Sequence, residues 1–196
     1  MITKSYLGYR YAVLKNTPYF GSYLSSSQTD PKRAPIMNRV IQQECSSCEG
    51  AFYMLEVGAW AGRSSRIWGE AIKKYTGGKG FLVSVDIWEP FVPKDGHATY
   101  LPWMQKALGD GKVHRLFLHN IAVLGLVDVV RSYKGPSEEI LPTLKDNFFN
   151  VVYIDANHSY SNAINDIKHG ARLTAEGGVL CGDDLEYQMS EIDEPF

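Results

Sequence analysis

The chain has 196 residues, 44% of them hydrophobic and 21% charged, the length of one domain with enough apolar side chain for a full core. A formal net charge of −2 gives no basic footprint for nucleic acid, so none is expected as a partner. No apolar run approaches the roughly 18 residues of a membrane helix, and Met1–Tyr6 lacks the apolar stretch of a secretory signal, so no membrane is expected and the cytoplasm is the default compartment.

In chain order, residues 1–34 read as irregular, rich in tyrosine and serine, and are taken as a lid or cover segment; residues 35–196 are taken as the main domain. Pro35 can open a helix that carries Ile36, Val40 and Ile41 and fades by Cys48-Glu49-Gly50. Cys45 and Cys48 form a C-x-x-C with no second pair to complete a zinc site, and read as two thiols near a helix end. Ala51–Val57 is a buried strand and Ser64–Tyr75 a helix stopped by Gly77-Gly78. Phe81–Asp86 is a second strand, 87–98 a loop, and Tyr100–Leu108 and Val113–Leu124 are helical. Val127–Tyr133 is a third strand and Glu138–Asn147 a helix begun by Pro136-Ser137. Phe149–Asp155 is a fourth strand, Tyr160–Thr174 a helix and Gly178–Gly182 a fifth strand. Strands alternating with helices predict an α/β fold, a mostly parallel central sheet covered on both faces in a Rossmann-like three-layer sandwich.

Such sheets bind ligands outside the carboxyl ends of their strands. Here those ends carry Glu56, Asp86, Asp155, Asp183 and Asp184, so acidic side chains gather along one rim. The first strand runs into Glu56-Val57-Gly58-Ala59-Trp60-Ala61-Gly62-Arg63-Ser64-Ser65. This is E-x-G-x-x-x-G rather than the G-x-G-x-x-G of dinucleotide enzymes, which makes NAD the weaker fit. Gly58 and Gly62 permit a tight turn, and the helix beyond offers N–H groups to an anion. Asp86 ends the second strand, where a carboxylate can accept from both hydroxyls of a ribose.

Over about residues 51–186 the chain resembles the class I S-adenosylmethionine-dependent methyltransferases. The resemblance implies that Glu56, Gly58, Gly62 and Ser64 hold the amino-acid end of the cofactor and that Asp86 holds its ribose. Gly135-Pro136-Ser137-Glu138 matches the turn beside the adenine, which adds Ser137 and Glu138. Trp88 is placed near the nucleoside.

The fourth strand ends in Asp155-Ala156-Asn157-His158 and the fifth in Asp183-Asp184, with His158 three residues after Asp155 and the two acids 28 and 29 after it. Neighbouring strands lie about 4.8 Å apart, so these carboxylates can converge, and like charges that close repel unless a cation sits among them. All-oxygen ligands favour Mg2+, Mn2+ or Ca2+. This pattern resembles the metal-dependent O-methyltransferases, and the macrolide-sugar and cephalosporin-tailoring type more closely than the catechol type, which has lysine and asparagine where this chain has His158 and Asp184. The resemblance implies Asp155, Asp183 and Asp184 as metal ligands, with Asp155 beside the cofactor as well, and His158 as catalytic base. The other histidines, His97, His114, His119 and His169, read as surface or packing residues.

The function expected is methyl transfer from S-adenosylmethionine to a hydroxyl of a small molecule, a sugar, polyol or natural product. The rival is a non-catalytic nucleoside-binding or assembly protein on the same fold, which would need neither His158 nor the convergent acids. Tyr19, Phe20, Tyr23, Trp88 and Trp103 are candidates for stacking on the acceptor. The family's sheet continues past its fifth strand into an antiparallel hairpin. Only Leu185–Phe196 follow Asp184, so the sheet is expected to lack part of that hairpin, by trimming or truncation, with an edge strand that invites a homodimer.

Overall fold

The strands form one all-parallel sheet in the order β3-β2-β1-β4-β5, built from β1 (Phe52–Val57), β2 (Gly80–Asp86), β3 (Val130–Lys134), β4 (Phe149–Ile154) and β5 (Thr174–Gly182). The structure is a computed structural model and describes residues 4–21, 33–48, 50–90, 102–156 and 160–183. The helices are α1 (Lys4–Leu14), α2 (Arg33–Ser47), α3 (Arg63–Thr76), α4 (Pro102–Gly109), α5 (Lys112–Val123), α6 (Ser137–Ile140) and α7 (Tyr160–Leu173).

Successive side chains of a strand point to opposite faces, and both faces here are apolar. Phe52, Met54, Leu82, Val151 and Tyr153 pack on one side against Ile41 of α2, Trp68 and Ile72 of α3, and Phe117 and Ile121 of α5. Leu55, Val57, Val83, Val85 and Val152 pack on the other against Leu141 and against Leu173 of α7. The fold is therefore the predicted α/β sandwich.

Several elements differ from the sequence reading, among them β5, which begins at Thr174 rather than Gly178, and α2, which begins at Arg33 rather than Pro35. Lys4–Leu14 is a helix rather than irregular chain. Its apolar residues follow no single face, Leu7, Tyr11 and Leu14 being exposed and Ala12 buried, so there was no helical stripe to read. The helix expected over Glu138–Asn147 stops at Ile140 and tightens into a 3-10 turn, Leu141–Thr143. Pro142 has no N–H to continue the α ladder. The third strand begins at Val130 rather than Val127, because Val129 N and Val130 N both donate to Leu126 O and close a turn.

Backbone hydrogen bonds stitch the carboxyl ends of the strands together. Gly58 N donates to Val85 O (2.8 Å), Asp155 N to Val57 O (2.8 Å) and Asp183 N to Ile154 O (3.1 Å). In register Val57 faces both Val85 and Ile154, and Ile154 faces Gly182. The glycine turn, Asp155 and Asp183 are thus one step beyond the sheet, and Asp86 is the last residue of β2, all on a single rim. Residues 184–196 lie outside the described residues, as do Tyr23 and Asn157–Ser159.

Candidate active site

The turn between β1 and α3 is held from every side. Gly58 has φ +92°, and a Cβ there would sit 1.9 Å from Asp155 O and 2.8 Å from the Cα of Ala156. The close passage of the chain that leaves β4 by itself requires a glycine here. Gly62, at φ +82°, opens α3, and a Cβ would meet the Phe117 ring at 2.9 Å. No side-chain cap covers the start of α3 among the described residues, so its first N–H groups face the rim, where an anionic group is favoured.

Asp86 is part of this scaffold. Its Oδ2 accepts from Ala59 N (2.9 Å) and Trp60 N (2.8 Å), and its Oδ1 from Trp88 N (2.8 Å). A carboxylate offers about four acceptor positions. Three are taken by the turn and by Trp88 N, and one remains on Oδ1. Loss of water pushes the Asp86 carboxyl above its ordinary value, and the three N–H donors and His114 pull it down. Trp88 is buried, donates from Nε1 to Trp60 O (2.7 Å) and stacks on His114, with ring centroids 4.4 Å apart. It supports the turn from beneath and offers no open face to a base. Both Trp60 and Trp88 adopt positive φ, 46° and 43°, a cost of order 1–3 kcal/mol each that the packing sustains.

Glu56 lies beneath the turn, fully buried. Its Oε2 accepts from Ser65 Oγ and from Ser84 Oγ (2.8 Å). Its Oε1 has no donor in good geometry among the described residues, though Ser64 stands near enough to favour the ionised form. Burial first, and the charge of Asp155 last, push its carboxyl up to about 7. On the β3 side, Ser137 stands near enough to the buried Asp166 of α7 to favour its ionised form, though burial dominates and raises that carboxyl, and Glu138 is exposed.

At the β4–β5 end, Asp155 and Asp183 reach the same cation, the guanidinium of Arg33. Arg33 Nη1 is 3.6 Å from Asp155 Oδ2, and Arg33 Nη2 pairs directly with Asp183 Oδ2. The Tyr153 hydroxyl donates to Asp155 Oδ2 (3.2 Å). Burial and the neighbouring carboxylate raise the Tyr153 phenol far above its usual range, so it stays a donor. Asp184 and His158 lie outside the described residues. Among the described residues no group of three His, Cys, Asp or Glu side chains gathers; the pair Asp155–Asp183 does. Its chemistry fits a hard divalent cation: the donors are carboxylate oxygens, and a positive group already stands between them.

Two residues escaped the sequence reading. Arg33 falls in the stretch that the sequence reads as irregular, although it is the first residue of α2, and has no local pattern to mark it. Asn120 was legible in principle, since it falls on the apolar face of α5 with Leu116, Phe117 and Ile121 and is a polar residue at a core position. Buried completely, it donates to Ala61 O (2.8 Å) and Tyr19 O (3.0 Å) and accepts from Tyr19 N (2.8 Å). His119 lies 3.0 Å from Thr17 O and His169 beside Arg172, while His97 lies outside the described residues. The cysteines are free, and Cys45 and Cys48 line a small cavity with Phe52, Tyr75 and Thr76.

The model of one protein family, described as a methyltransferase domain, matches residues 55–185. A search of the curated proteins found no match. Among solved structures, cofactor-bound Rv0187 from MTB superposes with TM-score 0.61 at 18% identity over 96% of this chain and 72% of that one. The O-methyltransferase NovP gives 0.60 at 20% identity over 78% and 64%, and a caffeoyl-CoA O-methyltransferase described as putative, from Staphylococcus aureus, 0.54 at 14% over 92% and 66%. The chain thus spans about two thirds of the length of these structures, and at such identities they establish the fold. The matched span runs from the glycine turn past the paired acids, over two thirds of the sequence, and the chain belongs to the methyltransferase-domain family, as a class I S-adenosylmethionine-dependent methyltransferase.

Proposed function

We propose that this methyltransferase moves the methyl group of S-adenosylmethionine to a hydroxyl oxygen of a small molecule, with a divalent metal held by Asp155, Asp183 and Asp184 and with His158 as base. The observation that carries the reading is the convergence of Asp155 and Asp183 on one cation at the rim beside the glycine turn. Two neighbouring folds have names that point the same way, NovP as an O-methyltransferase and CalS11 as a TDP-rhamnose 3'-O-methyltransferase.

The cofactor brings its own activation, because its sulfonium makes the methyl electrophilic. A hydroxyl is the poorer partner and attacks well only as it loses its proton. A bound divalent metal lowers the pKa of that hydroxyl and fixes its position. His158, with an ordinary pKa of about 6.5, accepts the proton near neutral pH. The turn at Gly58–Gly62 would hold the amino-acid end of the cofactor, and that prior anchoring would lower the cost of orienting the methyl donor toward the acceptor. Residues 1–34 act as the cover, with Tyr19 tied beside the turn through Asn120. A sugar or polyol is the preferred acceptor class.

The test is a methyl-transfer screen over glycosides, polyols and catechols with Mg2+ and then with excess chelator. Metal-dependent methyl ethers on a sugar or polyol support the reading. Methylation undiminished by the chelator removes the metal from it, and turnover on nitrogen or carbon acceptors alone removes the hydroxyl.

A further inference from the structure

Arg33 stands where the proposed metal would stand. Its two acidic partners come from adjacent strands and are positioned by the sheet: the amides of Asp155 and Asp183 both donate into the neighbouring strand, to Val57 O and Ile154 O. The backbones that carry the two carboxylates are thereby held side by side. Two negative charges fixed this close oppose each other's ionisation unless a positive group intervenes. The positive group is the first residue of α2, on a long side chain that keeps about a third of its surface in solvent (32%), against 18% and 19% for the acids. The acids are fixed and the guanidinium is the part that can leave.

We propose that Arg33 is a tethered counter-ion that determines which cations the Asp155–Asp183 cleft accepts, holding it in the metal-free protein and yielding it only to a divalent ion. The inference rests on the metal reading above and adds to it a residue that the metal must displace.

The physical basis is competition. Arginine stays charged at any working pH and forks toward two carboxylates at once. Being tethered, it acts at a high effective concentration, of order millimolar. A monovalent ion brings the same charge without the tether and gains nothing by replacing it. A divalent ion doubles the charge and is suited to carboxylate oxygens. Arg33 therefore sets a threshold of charge. Its removal should make the cleft bind divalent ions more tightly, because the ion no longer has to evict a partner.

Titration of Mn2+ into the full chain, followed by calorimetry and by the electron paramagnetic resonance of the free ion, tests this without reference to turnover. Arg33→Ala is expected to bind Mn2+ about tenfold more tightly than the parent protein, equivalent to about 1.4 kcal/mol. Arg33→Lys, a point charge without the fork, is expected to fall between the two. In chelator, Arg33→Ala should also melt lower than the parent, with the difference closed or reversed by saturating Mn2+. Equal or weaker Mn2+ binding by Arg33→Ala, with clear binding by the parent, overturns the role of Arg33 and leaves the metal reading standing. No Mn2+ binding by the parent or either variant overturns both. Should Arg33→Ala fail to fold, Arg33→Lys carries the comparison alone, and affinity no greater than the parent's overturns the proposal.

Discussion

Asn120 Nδ2 lies 2.8 Å from the carbonyl oxygen of Ala61, inside the glycine turn, while the same side chain holds both the N–H and the carbonyl of Tyr19. One buried amide thus joins α5, the turn at the head of α3 and the N-terminal segment. All three of its hydrogen bonds go to backbone groups with no water to replace it.

Asn120→Leu removes the amide and leaves those three backbone groups unsatisfied in a dry site. The expected loss is about 2–4 kcal/mol of folding stability. Because the turn loses an anchor, cofactor affinity should fall by about tenfold, or ~1.4 kcal/mol. Urea denaturation and cofactor titration of the variant check both; an unchanged midpoint would show that the knot contributes nothing.

Gly58 and Gly77 separate steric need from backbone strain. Both have positive φ, +92° and +62°, but a Cβ on Gly58 would collide with the backbone of Asp155 and Ala156, whereas one on Gly77 meets nothing within 4 Å. Gly77→Ala is expected to cost only about 1 kcal/mol for the left-handed backbone. Gly58→Ala forces β1 and β4 apart at the site and is expected to cost at least about 3 kcal/mol and to abolish cofactor binding. Soluble yield and thermal melts of the two alanine variants make the comparison.

Glu56 gives the protein a pH signature. Its carboxyl is raised from 4.5 to about 7 by burial. Between those values the folded protein holds a proton that the unfolded chain has released, so stability falls as pH rises through that window. The span corresponds to roughly 3 kcal/mol. Glu56→Gln keeps the shape and removes the titration, so the variant should show a flatter stability profile from pH 5 to pH 8 and exceed the parent at the alkaline end. Parallel denaturation curves at several pH values decide it; identical slopes for the two proteins contradict the assignment.

Asp155→Ala and His158→Ala are each expected to lower turnover to background while cofactor affinity stays within about threefold of the parent. The reaction needs both a held acceptor and a proton acceptor, the latter alone supplying about 10²–10⁴-fold, whereas the main holds on the cofactor are assigned to Glu56, the turn at Gly58–Gly62 and Asp86, with Asp155 only beside it. Single-turnover methyl transfer alongside equilibrium cofactor binding separates the two effects. Full activity in either variant removes the proposed mechanism.

The order of strands and helices, the parallel sheet and the rim that carries Gly58, Asp86, Asp155 and Asp183 were legible from sequence, because apolar periodicity and glycine punctuation are local signals and each strand's last residue is fixed by its own pattern. Only the tertiary structure decided what those residues touch. Asp86 spends three of its acceptor positions on the turn and on Trp88 N, and Gly58 leaves no space for a Cβ because the backbone of Asp155 and Ala156 passes beside it. Arg33 meets acids more than a hundred residues away, and Asn120 meets Tyr19 across 101. Such pairings depend on how separate elements pass one another in space, and no period or spacing along the chain encodes that.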